Sequence, residues 1–390
     1  MGLKEDALKL HKDNRGKLEV KSKVEVKDAH DLSLAYSPGV AEPCLEIAKD
    51  NDLAYEYTNK QNAVAVVTDG SAVLGLGNIG GIAGMPVMEG KAVLFKSFAG
   101  VDAYPIMLST QDPEEIINTV KNIAPGFGGI NLEDINAPKC FEIEERLKKE
   151  LDIPVFHDDQ HGTAIVTLAG LINALKVVDK KMEDISVCIS GAGAAGVAIA
   201  KLLIDYKVGD VIILNSKGVL DPEDEKLDPI RLELAKNSNK THKKGDLREA
   251  IKDTDVFIGV SVANIVDLDM LKSMRRDPIV FAMANPVPEV LPDVALEGGV
   301  KVMGTGRSDY PNQINNVLAF PGIFKGALSV RASSINQEMK IAAAEAIASL
   351  VSEDELSADY VIPRPFDERV ASTVAEAVKN AAIETNVSRI

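Results

Sequence analysis

Short apolar runs alternate with longer amphipathic stretches over most of the chain, and that alternation predicts an α/β protein. AVAVVT (63–68) predicts a buried strand, PEEIINTVKNIA (113–124) a helix with Pro at its first turn, and FEIEERLKKEL (141–151) an amphipathic helix between the short strands GGINL and IPVFH. Residues 1–60 read as helical and turn-rich, with YSPGVAEPC a Pro/Gly-punctuated bend before a helix. The stretch GTAIVTLAGLINALKVV is interrupted by Thr163, Thr167, Asn173 and Lys176, so it predicts a buried helix rather than a membrane span. Beyond it the pattern sharpens into βα units: SVCIS, AAGVAIAKLLIDYK, VIILN, LREAIK, DVFIGV, LDMLKSM, IVFAMA and KVMGTG. That succession predicts a Rossmann-type, doubly wound nucleotide-binding domain. Two helical patterns after Ser333 are expected to pack back across both halves. The organisation expected is an N-terminal α/β domain over 1–160, a Rossmann domain over 161–332 and C-terminal helices over 333–390.

Composition narrows the class. With 390 residues, 46% hydrophobic and 26% charged, the chain has ample apolar material for two cores. A formal charge of −16 without a basic stripe disfavours a nucleic-acid binder. Anionic substrates stay admissible, because a bound cation dominates the field of its own site. Cys44, Cys140 and Cys188 lack CxxC spacing, which points away from disulfides and zinc ribbons and toward a reducing cytoplasm. MGLKEDALKLHKDNRGK has no apolar core of a secretory signal, and Asp6 stands where a myristoylation start needs Ser or Thr.

Two glycine patterns compete for a nucleotide. Gly191-Ala192-Gly193-Ala194-Ala195-Gly196 follows SVCIS and opens a helix, the order in which a tight turn and a helix N-terminus receive a pyrophosphate. Gly75-Leu76-Gly77-Asn78-Ile79-Gly80 also follows a strand, but its sequel GIAGMPVMEG contains Pro86 and is not expected to open a long helix. It reads as a structural or substrate-facing loop.

Paired acids make the second chemical signal. Glu133-Asp134 ends GGINL, and Asp158-Asp159 ends IPVFH. Single acids at such positions are usually solvated or cap helices. Two pairs at the carboxyl ends of neighbouring strands suit a hard cation, Mg²⁺ or Mn²⁺. His157 and His161 have the i, i+4 spacing of zinc proteases, but Asp158 replaces the general-base Glu and Gly162 follows, so both read as supporting or core histidines.

With those residues in place, the chain resembles the malic enzymes of the short bacterial and archaeal type. The resemblance rests on AYSPGVAEPC, VVTDGSAVLGLGNIG, PVMEGKAVLFKSFAGVDAYPI, NLEDINAP, HDDQHGTA, GAGAAG, FAMANPVPE and NQINNVLAFPG, in order along nearly the whole chain. It implies oxidative decarboxylation of L-malate to pyruvate and CO₂, reduction of NAD(P)⁺, a requirement for Mg²⁺ or Mn²⁺, and a homodimer. By motif it assigns Tyr36 as general acid, Lys91 as general base, Glu133, Asp134 and Asp159 as metal ligands, and Asn285 and Asn316, with Asn315 adjacent, to the substrate side. Asp158 matches a non-ligand position. Larger relatives hold a substrate carboxylate with an Arg where this chain has Ala72. Without the motifs, Tyr36 and Lys91 would pass for a packing Tyr and a solvated Lys. A lysine partly desolvated beside a cation is expected to have a lowered pKa.

Two rival functions share these residues: a metal-dependent oxaloacetate decarboxylase with little redox activity, and a non-catalytic nucleotide sensor. The intact glycine loop argues against the first, and Tyr36, Lys91 and the three acids together argue against the second. Cofactor choice turns on the end of VIILN, where NAD-preferring Rossmann domains carry an acid. Here Asn215, Ser216 and Lys217 occupy it. A neutral Asn and a nearby Lys favour NADP⁺ or dual use, while Asn215 could equally serve the ribose hydroxyls of NAD⁺.

Overall fold

Two sheets organise the chain in the computed structural model, which describes residues 2–73 and 75–390. Met1, and Leu74 within VVTDGSAVLGLGNIG, lie outside the described residues. The first sheet contains β1 (Ala63–Thr68), β2 (Asp102–Met107), β3 (Gly129–Leu132) and β4 (Val155–His157), all parallel, in the order β2-β1-β3-β4. β1 is buried along its whole length, as a Val/Ala run in a sheet covered on both faces should be. The second contains β5 (Ser186–Ser190), β6 (Asp210–Asn215), β7 (Gly218–Val219), β8 (Val256–Gly259), β9 (Ile279–Ala282) and β10 (Val302–Thr305). Its order is β10-β9-β8-β5-β6-β7, parallel except for the short β6–β7 hairpin. β5 pairs with β6 on one side and β8 on the other, so the strand order reverses there and opens a crevice beyond its carboxyl end.

The helix Asp158–Val177 joins the sheets, buried along most of its length. It begins earlier than the apolar run suggested, so Asp158 and Asp159 form its first turn instead of prolonging β4. Carboxylates are favoured there by the exposed N–H groups and the helix dipole.

The second glycine pattern corrects an expectation. Gly80–Leu94 is a 15-residue helix with Pro86 inside it. Pro86 leaves the Ile82 carbonyl without its intrahelical donor, but Ile82 is 87% exposed, so water can reach that side. Small residues let the other side press on the first sheet: a Cβ on Gly81 would stand 2.6 Å from the Leu108 carbonyl oxygen. Tertiary packing thus overrides a poor helical sequence.

At the C-terminus, helices Phe320–Ser329, Gln337–Ser349 and Arg369–Glu384 pack on one another and back onto Asp158–Val177. The first of them was hidden in the FPG motif. Its Phe320 and Phe324 rings meet Phe95 edge-on at 4.7 and 5.4 Å. On the second-sheet side, Tyr206 donates to Glu345 at 3.0 Å and Asn312 to the Ala358 carbonyl at 2.8 Å. No helix among the described residues is long and apolar enough to cross a membrane.

Candidate active site

β3 and β4 are neighbours in register, Leu132 opposite His157, so the acids that follow each strand come side by side. The Asp134 N–H donates to Asp159 Oδ2 at 2.8 Å, with Asp134 in the left-handed region at φ +53°. Asn131 donates to Glu133 Oε2 at 2.7 Å. One ligand atom each from Glu133, Asp134 and Asp159 lies within 4.8 Å of the others. Asp134 Oδ2 is buried without a partner. Three oxygen donors converging on a buried, unsatisfied carboxylate suit a hard divalent cation.

The electrostatics agree with a shortage of positive charge. Burial, opposed by Lys91 and aided by Asp159, pushes Glu133 well above the ordinary carboxylate range. Burial and Asp159 push Asp134 up to about 7. Asp159 is lowered despite its burial, because the buried His157 stands 3.1 Å from it. Burial works against charge on His157 too, but Asp159 holds the imidazole above its ordinary value.

Lys91 comes from the helix Gly80–Leu94 and points to the same place. Its Nζ lies 2.6 Å from Asp158 Oδ2 and 3.0 Å from Glu133 Oε1, and 4.1 Å above the Phe320 ring. Asn316 also donates to Asp158 Oδ2. Asp158, set aside at first as the neighbour of a ligand, is therefore the group that holds both Lys91 and Asn316. The lowered pKa expected for Lys91 supposed a cation beside it; the acids by themselves act the other way. Burial opposes the charge, but Asp158 and Glu133 outweigh it and hold the ammonium above its usual value.

Behind the acids lies a support that the motifs did not announce. Glu144 accepts from the His157 N–H at 3.1 Å and from Gln160 at 3.2 Å, and contacts His161 at 2.9 Å. Burial opposes the charge on Glu144, but Lys148 at 2.7 Å and the hydrogen bond from His161 hold it well below its ordinary range. Burial drops His161 to about 3, leaving it neutral, and Lys340 Nζ sits 3.2 Å from its Nδ1. Glu144, Lys148, His161 and Lys340 line a partly open cavity of about 280 Å³. These histidines support the site; no zinc-protease arrangement forms.

Not every expected residue converges. Tyr36 is 70% exposed at the end of the helix Ala29–Ala35, which buries no residue of its own. Asn315 caps the short turn Asn316–Leu318 by accepting from the Val317 N–H at 2.9 Å. Asn285 bonds the Met283 carbonyl at 3.3 Å. A Cβ on Gly75 would meet the Asn285 oxygen at 3.7 Å, so the second glycine pattern lines the gap between the sheets. Three residues before Ala72, Asp69 pairs with Lys139 at 2.5 Å and accepts from the Ser71 N–H at 2.9 Å.

The other glycine pattern behaves as a nucleotide turn. Gly191 has φ +114°, and a Cβ there would strike the Val260 oxygen at 2.6 Å; one on Gly196 would lie 1.7 Å from the Gly191 oxygen. Gly193 faces open space, leaving room for a phosphate at the N-terminus of Ala194–Asp205. Ala192 is held from behind by Arg231, which donates to its carbonyl at 2.6 Å. The buried Glu289 of ANPVPE accepts from the Ser261 and Ala284 N–H groups at 2.8 and 3.0 Å and so fixes the ends of β8 and β9. The half-buried Asn215 accepts from the Lys217 N–H at 2.8 Å, with Ser216 and Lys217 exposed.

A Rossmann crevice facing a buried carboxylate cluster defines a dinucleotide-binding protein with a candidate cation site. The model of the malic enzyme N-terminal domain matches residues 15–148, and that of the malic enzyme NAD binding domain matches 160–293 and 299–383. The chain belongs to the malic enzyme family. It is 65% identical to a bifunctional malic/malolactic enzyme of Bacillus subtilis, over 100% of this chain and 95% of that one. It is 60% identical to an NAD-dependent malic enzyme of Geobacillus stearothermophilus, over 96% and 78%. An NADP-dependent malic enzyme of Haemophilus influenzae is 49% identical, with 96% of this chain matching 51% of that relative. The crystal structure of malic enzyme from Pyrococcus horikoshii superposes with a TM-score of 0.96 at 52% identity, over 100% of this chain and 92% of that one.

Proposed function

We propose that this chain converts L-malate and NAD(P)⁺ to pyruvate, CO₂ and NAD(P)H, with Mg²⁺ or Mn²⁺ held by Glu133, Asp134 and Asp159. The observation that carries it is Lys91, buried 3.0 Å from Glu133 within the converging acids. The cation, when bound, polarises the C2 oxygen and fixes malate in place. Lys91 Nζ takes the C2 hydroxyl proton, Asp158 and Asn316 keeping it aimed, as C2–H gives its hydride to the nucleotide held over Gly191–Gly196. Lys91 must first lose its own proton. That proton would pass to solvent: Asp158 and Glu133 now hold the ammonium, and a cation drawing on Glu133 would weaken the hold. After CO₂ leaves, Tyr36 Oη delivers a proton to C3, which balances the proton removed at the hydroxyl. Asn285 faces the substrate from the second half. Residues 1–160 supply the acids and Lys91, 161–332 the nucleotide crevice and 333–390 the packing that closes both. For cofactor preference, neutral Asn215 with exposed Lys217 supports NADP⁺ or dual use.

The test is nicotinamide absorbance with malate, Mn²⁺ and either cofactor, repeated with chelator. A signal that chelation removes is expected. Consumption of oxaloacetate with no nicotinamide signal would instead favour a decarboxylase.

A further inference from the structure

Two lysines are buried among the described residues, and their charges are met differently. Lys91, 7% exposed, has Asp158 and Glu133 at 2.6 and 3.0 Å. Lys340, 8% exposed, has no carboxylate partner among the described residues. Its polar neighbours are His161 Nδ1 at 3.2 Å and Gln337 Oε1 at 3.4 Å. A buried ammonium without a counter-charge is costly. Burial, with repulsion from Lys148 and Lys201, holds Lys340 down to about 7 against the pull of Glu144 and Asp205.

Lys340 opens onto the cavity of about 280 Å³, room for roughly nine waters at ~30 Å³ each. Its walls come from helices Lys139–Glu150, Asp158–Val177, Ala194–Asp205 and Gln337–Ser349, and so from every part of the chain. The carboxylates around it are already engaged. Glu144 pairs with Lys148 at 2.7 Å, Glu145 with Lys149 at 2.5 Å, and Asp205 accepts from the Gln337 amide at 2.8 Å. Two ammonium groups on the cavity, those of Lys340 and the exposed Lys201, are left without an acid of their own among the described residues. Phe141, Val197 and Leu202 make another part of the wall apolar. Cations with donors to spare beside an apolar surface are what a small organic anion needs.

We propose that this cavity binds a small organic anion, its carboxylate or phosphate between Lys340 and Lys201 and its carbon skeleton against Phe141, Val197 and Leu202. Neither the three candidate cation ligands nor the Gly191–Gly196 turn lines it. Glu144 in its wall does take the His157 N–H, at the strand end that leads into Asp158 and Asp159. An anion there competes with Glu144 for Lys148 and Lys340, so the occupant acts on the acids as an effector.

Isothermal titration tests the binding at about pH 6, where Lys340 carries its proton. The probes are butyrate and monobutyl phosphate, with butanol as the uncharged control. One site per chain is expected for an anion and none for butanol, and the tighter of the two anions identifies the head group. Lys340→Met and Lys201→Gln should each weaken binding about tenfold or more. Lys201 is exposed, so its variant tests the site even if Lys340→Met folds poorly. Binding of neither anion overturns the proposal, as does binding unchanged in both variants, which would belong to the active site or the nucleotide turn. With the tighter anion saturating, the malate KM of the wild type should shift about fivefold or more, and that of the variants should not. No shift, or one that the variants share, overturns the effector role.

Discussion

The two sheets end in opposite chemistry. At the carboxyl ends of β3 and β4, side chains form the site: three buried acids, the partly exposed Asp159, Lys91 and His157. Beyond β5, the backbone forms it: Gly191 to Gly196, with almost no side chain in the way. A small hard cation needs charged oxygens at fixed separations, whereas a pyrophosphate needs N–H groups and empty space. The first site therefore stores electrostatic cost in raised carboxylate pKa values, and the second stores conformational cost in a left-handed glycine.

Substitutions should separate the halves. The largest effect is expected in the side-chain site. Asp159→Ala removes one of three oxygen donors and should abolish malate oxidation and oxaloacetate decarboxylation together, beyond the ~10–100-fold typical of outer partners. Lys91→Ala should lower malate oxidation by about 10²–10⁴-fold. Full oxaloacetate turnover by Asp159→Ala at modest Mn²⁺ would remove Asp159 from the ligand set.

Next comes the backbone site. Gly193→Val adds a side chain where nothing stands within 4 Å, so the fold should survive. The nucleotide KM should rise by about 10–200-fold, the range for one misfit group in a pocket, while oxaloacetate decarboxylation persists. Loss of both reactions, with an unchanged melting temperature, would mean that the halves are not separable.

A third change probes the support behind the acids. Burial, with Lys148 nearby, lowers Lys340 to about 7, although Glu144 and Asp205 oppose this. Between pH 7 and roughly 10.4 the unfolded chain binds a proton there that the folded chain does not, so stability contributed at this residue rises with pH across that window. Below pH 7 both states are protonated and the full penalty applies. Lys340→Met should therefore raise the melting temperature at pH 6–7, on the order of 5 °C, with the gain fading toward pH 10. A gain independent of pH would show that packing, not charge, limits this position.

The smallest effect is expected at the edge of the crevice. Asn215→Asp should shift kcat/KM toward NAD⁺, and Lys217→Ala should weaken NADP⁺ selectively. A wild-type enzyme already strongly selective for NAD⁺ would end the proposed preference.

Local pattern foretold much of this. The strand AVAVVT, the helix after Asp112 and the GAGAAG turn all follow from short-range rules: β-branched burial, a Pro at the first turn, and a tight turn opening a helix. The acids were visible as pairs because strand ends in a parallel sheet share an edge. The helix Gly80–Leu94 was not, since its reason for being helical is the sheet beneath it. Nor were Glu144, Phe320, Lys340 and Glu289, whose partners lie far along the chain or carry no recognisable spacing.

Periodicity and motif order were enough to set the fold class and the family, and to single out Glu133, Asp134 and Asp159, which the fold brings together, because these depend on residue type and near neighbours. Three matters waited for the folded chain. Asp158 became the partner of Lys91, Asp158 and Glu133 proved to hold its ammonium above the usual value, and Tyr36 turned out to stand exposed beside a helix that buries no residue. Each depends on which distant groups share a low-dielectric space, and burial is a property of the whole packing that no local spacing encodes.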